Sequence, residues 1–536
     1  MSRWLTEMRL SRITVDRAEV RQMNEIGGGW WLMCMVFQID TLVQDAFEII
    51  LLIRSWNNSL APINRIPPEI LTLLPDFWDK DTKDQGTIGL THVCRVWREI
   101  FLSRSSLWAN FDCKNGDKTR VYLERSKSSP IHVSLDRGGI MFPNDPFLQI
   151  MPHTIGRLKS LSINGRPENL RNIISHLSLP APLLEDLSID GGSKYSSRHN
   201  SVLVPTLFNG DLSSLRVLRL QCIRTELPWR NMINLTSFTL RHTSPENTAT
   251  RHLLDFFESA PRLREIQLLS ATPTSGAQYG RLVSLACLKR MEITGDELSG
   301  HLLDHLLIPV GAELVRRTRS FSGRIEAHLP KSLDNLMNLP NFTQIHLHVD
   351  EPPARSTWIR FSGPNGQLYL EGPSRDSYFV IASLTLFDTS NTEQLEIIGN
   401  HHLTSGPLFN MLSTMENLRT LTLSRVEGLQ YFTTILHNLC LKLEELVLVP
   451  STGKRGFDIG CVIEMAAARE RRRLKLKTVR IVDGQDEVNP RSVLELGKYV
   501  SHVHIGHRPT VYAVNGGGGG SGVESQGMIR VCPLVG

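Results

Sequence analysis

The sequence is poor in the features that mark secreted, metal-binding or membrane proteins. Its 536 residues include eight cysteines, at positions 34, 94, 113, 222, 287, 440, 461 and 532, with no CxxC pair and no close cluster. A disulfide scaffold or a structural zinc site would space them differently, so they read as reduced thiols of a cytoplasmic or nuclear protein. The sequons at Asn57, Asn234 and Asn341 are then chance matches. Arg3, Glu7, Arg9 and Arg12 stand where a signal peptide would be apolar. Excess charge of one sign is lacking as well. A net charge of +5 over this length argues against a dedicated nucleic-acid or membrane surface, which would concentrate basic residues on one face.

Long apolar runs are absent too. The best membrane candidate, Trp30 to Ile53, contains Gln38, Asp40, Gln44, Asp45 and Glu48, and acids in a span are costly in hydrocarbon. Leu42, Ala46, Ile49, Ile50 and Ile53 recur at helical spacing instead, which predicts an amphipathic helix. Catalytic signatures are missing. There is no Walker loop, HExxH or GxSxG, and Gly517, Gly519 and Gly522 match GxGxxG only within a polyglycine run, which reads as a flexible tail. His346-x-His348 and His502-x-His504 with His507 have no nearby Cys or acidic partner to complete a metal site. The basic run Arg469 to Lys477 leads straight into an apolar alternation and reads as a solvated helix end. No catalytic residue, cofactor or metal is expected.

What the chain has is repetition. The pattern L-x-x-L-x-L, with conservative swaps, starts at residues 158, 183, 215, 235, 263, 288, 342, 392, 418, 443 and 476. Most neighbouring starts lie 20 to 33 residues apart, a period close to that of leucine-rich repeats. The gaps from 288 to 342 and from 342 to 392 are each close to two such periods. Alternate residues of a strand face opposite ways. Leu218 and Leu220 should therefore point inward, and Val217, Arg219 and Gln221 outward. One such strand cannot bury its apolar side alone, but stacked copies share a core. Helix-like stretches such as His252 to Glu258 lie between strands. The expected fold is α/β: a small all-helical module, then a curved solenoid over 155–500 with a parallel strand ladder inside and helices outside. On strand parity, a protein target would meet the outward residues Arg219, Arg241, Gln267, Glu292, His346, Glu396, Thr422 and Arg480.

Residues 62–112 are dense in helix signals. Pro67-Pro68 can open a helix and Glu69 complements its positive end. Ile70, Leu71 and Leu74 follow until Pro75 interrupts. Leu90, Val93, Trp97 and Ile100 then make an apolar stripe at helical spacing. IPPEIL, then VCRVWR, then LW, in this order, resembles the F-box signature. With the downstream stretches ANFDCKNGDKTRVYLERSKSSPI and KLEELVLVP, residues 62 to 485 look like the large fungal families of F-box proteins with degenerate leucine-rich repeats. That resemblance implies a subunit of a Skp–cullin–F-box ubiquitin ligase, which docks the Skp adaptor, and through it cullin and RING subunits, while the repeats hold a protein target. Carried over by position, the adaptor-facing residues are Ile66, Pro67, Ile70, Leu71, Leu74, Val93, Cys94, Trp97, Leu107 and Trp108. Pro75 and the insertion-like stretch after it depart from the family pattern. Residues 1–61, a linker and cap over 113–154, and a Gly-rich tail over 501–536 complete the layout. The alternative is a repeat scaffold, recruiting no ligase, whose first helices cap the array. Neither reading involves nucleic acid or a membrane.

Overall fold

Apolar residues two apart, repeated along the chain, build the main sheet. A computed structural model of the protein describes residues 28–77, 86–137, 146–192, 202–204, 207–210, 212–225, 231–242, 250–270, 280–295, 300–318, 329–339, 341–349, 356–373, 384–399, 405–426, 429–450, 458–482 and 489–506. The chain is mixed α/β and divides into two units. The first comprises residues up to Phe111 together with Arg120–Ser129; the second takes Asp112–Thr119 and everything from Pro130 onward.

The second unit carries a sheet whose strands pair in parallel for most of its length. They are β1 (Ile131–Arg137), β2 (Leu158–Gly165), β3 (Asp186–Asp190), β4 (Val217–Gln221), β5 (Ser237–Arg241), β6 (Glu265–Leu269), β7 (Arg290–Thr294) and β8 (Glu313–Arg317). After a break come β9 (Gln344–Val349), β10 (Ser356–Gly363), β11 (Gly366–Pro373), β12 (Gln394–Gly399), β13 (Thr420–Ser424), β14 (Glu445–Val449), β15 (Thr478–Val482) and β16 (His502–Gly506). All three apolar positions of the repeated pattern are interior: Leu215, Leu218 and Leu220 are buried, as are Leu235, Phe238 and Leu240, and Leu418, Leu421 and Leu423. The alternation expected for β4 holds, with Leu218 and Leu220 inside and Arg219 exposed. Helices Pro167–Ser175, Thr250–Ser259, Ser405–Thr414, Leu429–Leu436 and Ile459–Arg471 fall between successive strands. The Phe256 ring, on one of them, meets Phe238 of β5 with centroids 4.4 Å apart.

Four strand exits use the same device. Cys222, His242, Ser270 and Arg425 directly follow a strand and have φ of 53°, 51°, 53° and 55°. Left-handed backbone is unfavourable for residues with a Cβ. Here it aims each N–H at the last residue of the next strand: Cys222 donates to Arg241 O (2.9 Å), His242 to Leu269 O (2.8 Å) and Arg425 to Val449 O (2.8 Å). A hydrogen bond to the neighbouring unit offsets the local cost.

The two long gaps in the repeat resolve differently. The first contains β8, a further parallel strand pairing with β7. The second departs from the expected pair of repeats. It holds an antiparallel meander, β9–β10–β11, laid into the ladder in reverse chain order. β11 pairs parallel with β8, β10 is antiparallel to both its neighbours, and β9 pairs parallel with β12. A short Gly363-Pro364-Asn365-Gly366 connection closes the hairpin between β10 and β11.

In the first unit, helix Gly28–Leu60 is longer than the amphipathic segment expected within it, and Leu42, Ala46, Ile50 and Ile53 stand at the surface. Among the described residues no helix is long and apolar enough to cross a membrane. Residues 1–27, part of the insertion after Pro75 and the tail beyond 506 lie outside the described residues.

Candidate protein-interaction surfaces

In the first unit the motif segments meet in one small core. Pro67 precedes a single helical turn, Pro68–Leu71, with Pro68 at its first position, where a missing N–H costs nothing. The turn ends before Leu74, and Leu74–Phe77 is a separate 3-10 turn. The α-helical turn thus stops at Leu71, ahead of Pro75, which lies inside the 3-10 turn. The expected continuous stripe from Leu90 to Ile100 does not form on one helix. Residues 86–90 are helical, the chain turns over 91–93, and a new helix, Arg95–Ser103, starts after Cys94.

That break sorts the ten residues expected to face an adaptor. Leu71, Trp97, Leu107 and Trp108 are buried within this unit. Trp97 packs on Phe101, with ring centroids 5.8 Å apart. Trp108 meets Tyr122 edge-on at 5.1 Å, donates its indole N–H to Phe101 O at 2.9 Å, and has Arg125 over its ring. Buried tryptophans need such an acceptor. Ile66, Leu74 and Cys94 are half-buried, while Pro67, Ile70 and Val93 are exposed. Leu73 and Val96 are exposed beside them in sequence; neither was expected. Ile70 and Val93 are each more than half exposed, as is Val96, so they belong to the apolar surface that the motif's own core leaves open.

In the second unit, seven of the eight outward residues expected from strand parity lie in a single register row across the sheet. It runs Ser188, Arg219, Thr239, Gln267, Glu292, Val315, then through the meander as Tyr369, Arg360 and His346, then Glu396, Thr422, Val447 and Arg480. Arg241 sits one step over in the adjoining row, opposite Gln221. Charge pairing across strands occupies much of this row. Arg219 holds Asp186 (2.9 Å), Arg480 holds Glu445 (2.7 Å), and Nδ1 of His346 lies 2.8 Å from Glu396. Arg241 Nη2 reaches Gln267 at 3.4 Å, and Thr422 is half-buried. Glu292 and Glu396 are buried. Glu292 pairs with Arg290 and Arg317, and Glu396 with His346.

Residues that strand parity on the repeats alone passed over sit in the meander. Trp358 stacks on His348 (5.1 Å between centroids, planes 17° apart) and lies 5.8 Å from Tyr369. The Arg360 guanidinium stands 5.6 Å over the Tyr369 ring. The Tyr369 hydroxyl donates to Glu371 at 3.0 Å; burial pushes its pKa up, with the Glu371 charge adding to the effect, so it stays a donor. The signal was present in the sequence: the strand-forming runs Thr357 to Phe361 and Leu368 to Leu370 flank a Gly-Pro-Asn-Gly turn, a hairpin signature.

The basic run 469–477 is only partly a solvated helix end. Arg469 is fully buried and donates to Leu436 O, Leu439 O, Cys440 O and Leu474 O at 2.8 to 3.2 Å. Lys477 pairs with Glu444 at the surface. Among the described residues no group of His, Cys, Asp or Glu could hold a metal ion. The chain matches no protein-family model and no curated protein.

Proposed function

We propose that the protein is the substrate-recognition subunit of a Skp–cullin–F-box ubiquitin ligase, built from an F-box in the first unit and degenerate leucine-rich repeats in the second. The observation that carries this reading is the division within the motif. Leu71, Trp97 and Trp108 make a core, while Ile70 and Val93 from the IPPEIL and VCRVWR segments stay open. With the exposed Leu73 and Val96 they are apolar surface that the module's own core does not use. The register row of outward residues supports a broad, polar surface suited to a protein target. On this reading the protein performs no chemistry itself. It raises the local concentration of a target near a conjugating enzyme held by the cullin and RING subunits.

Co-expression of the full chain with a Skp adaptor tests the proposal. A stoichiometric complex surviving gel filtration is expected. A folded chain that elutes alone would overturn the reading and leave a repeat scaffold.

A further inference from the structure

The outward side of the meander differs chemically from the rest of the sheet face. Along the central row, strands β3 to β7 present Ser, Arg, Thr, Gln and Glu, and β12 to β15 present Glu, Thr, Val and Arg. Aromatic rings enter this face at the meander, where Trp358 and Tyr369 flank Arg360. Trp, Tyr and Arg are the residues that most often dominate protein interfaces. Trp358 and Arg360 are partly open to solvent.

Among the described residues, charge bookkeeping on the face leaves Arg241 and Arg360 without an acid, and Arg241 already reaches Gln267. Arg219 has Asp186, Arg290 has Glu313, Arg317 has Glu371 and Arg480 has Glu445. The nearby acids are engaged as well: Glu371 by Arg317 and the Tyr369 hydroxyl, and Glu396 by His346. Arg360 has no such partner. Its Nε is buried without a hydrogen bond, and no carboxylate pairs with it among the described residues. A guanidinium set over a tyrosine ring and paired with no described carboxylate is organised for an incoming one, which takes two parallel N–H bonds from a planar fork.

We propose that the β9–β11 meander is the recognition centre for an acidic peptide segment of the target, with an Asp or Glu carboxylate on Arg360 and a neighbouring planar or apolar side chain against Trp358. This rests on the reading of the outward face as the target-binding surface. Charge complementarity selects this occupant: a basic segment would bring a second cation to Arg360, and a purely apolar one would bury its donors unpaired.

The test pans a phage-displayed random dodecapeptide library on the full chain. Selected peptides are then measured by fluorescence polarisation against wild type, Arg360→Ala, Arg360→Lys, Trp358→Ala and the surface control Arg171→Ala. Selected peptides should carry an acid. Changing it to its amide, or Arg360→Ala, should weaken binding about tenfold or more. Trp358→Ala should act similarly, Arg360→Lys should recover only part, and Arg171→Ala should change nothing. Failure to enrich peptides, enrichment without acids, indifference to Arg360→Ala, or binding only of phosphoserine versions would each overturn the proposal. Adaptor binding measured on the same variants reports separately on the ligase reading. It should be unchanged in all of them, and its absence from wild type would sink that reading without touching this one.

Discussion

The indole N–H of Trp97 donates to the side-chain oxygen of Asn64, 2.5 Å away and 33 residues earlier in the chain. This bond ties the segment entering the IPPEIL turn to the helix carrying VCRVWR. Trp97→Ala should cost about 3–5 kcal/mol of local stability, because it opens a cavity at the centre of the module. Asn64→Ala should cost about 1–3 kcal/mol by leaving a buried donor unpaired. Hydrogen–deuterium exchange over residues 95–103 measures both. Protection unchanged in Trp97→Ala would refute the core assignment. The same point guards against a misreading: loss of a partner after Trp97→Ala would report unfolding, not a lost contact.

A second prediction concerns a position where the repeat carries the wrong chemistry. Thr392 occupies the first apolar site of its unit, is fully buried, and its hydroxyl has no hydrogen-bond partner among the described residues. Leu418 and Leu443 occupy the same site in the next two units. Thr392→Val keeps the shape and removes the unsatisfied hydroxyl, so it should stabilise the protein by about 1 kcal/mol. Thermal denaturation checks this, and a lowered midpoint would contradict it.

Arg469 is a structural tie despite its place in a basic run. Its guanidinium ends the Leu429–Leu436 helix and the turn after it by serving three of their carbonyls. Arg469→Met should cost about 3 kcal/mol or more by stranding those acceptors, and Arg469→Lys should fail to rescue because a point donor cannot span them. Urea denaturation distinguishes this from a surface role, for which both variants would match wild type. Beside it, burial pushes the Cys440 thiol up to about 12. Alkylation near neutral pH should therefore spare Cys440 in the folded chain while labelling the exposed Cys34 and Cys287.

The ladder should also weaken in mild acid. Burial lowers the pKa of His132 on β1, with the Lys159 charge adding to it against Glu185 and Asp186; burial likewise lowers His437, with Arg472, Arg471 and Arg469 opposing Glu464. Above the ordinary value of 6.5 neither state holds the proton, so these groups leave stability unchanged. As the pH falls below it, the unfolded chain takes up protons before the folded one, and stability drops until the folded imidazoles titrate too. Replacing both with Gln should flatten the pH dependence of the melting temperature in that window. An unchanged slope would contradict the assignment.

Much of the second unit was legible because its information is local and repeated. Leu215, Leu218 and Leu220 announce an inward face from spacing alone, and the same parity placed Arg219, Gln267, Glu292, His346, Glu396, Thr422 and Arg480 in one row. Which outward charges remain available was not legible. Partners such as Asp186 for Arg219 come from register, which one strand does not encode. The reversed order of β9, β10 and β11 was hidden for a related reason: a hairpin signal gives local pairing, not the strand on which it docks. In the first unit, helical spacing mistook a broken element for a continuous one, and so merged the buried Trp97 with the exposed Val93.

The most direct measurement is the affinity of the purified full chain for a Skp adaptor, by calorimetry, in wild type, in Ile70→Asp with Val93→Asp, and in the exposed control Leu494→Asp. Ile70 and Val93 lie outside the buried core, so folding should survive. The account predicts tight binding by wild type and the control, and a loss of about a hundredfold or more in the double variant, as a carboxylate is desolvated at each site. Equal affinity in all three proteins, or none in any while the chain remains folded, would contradict it.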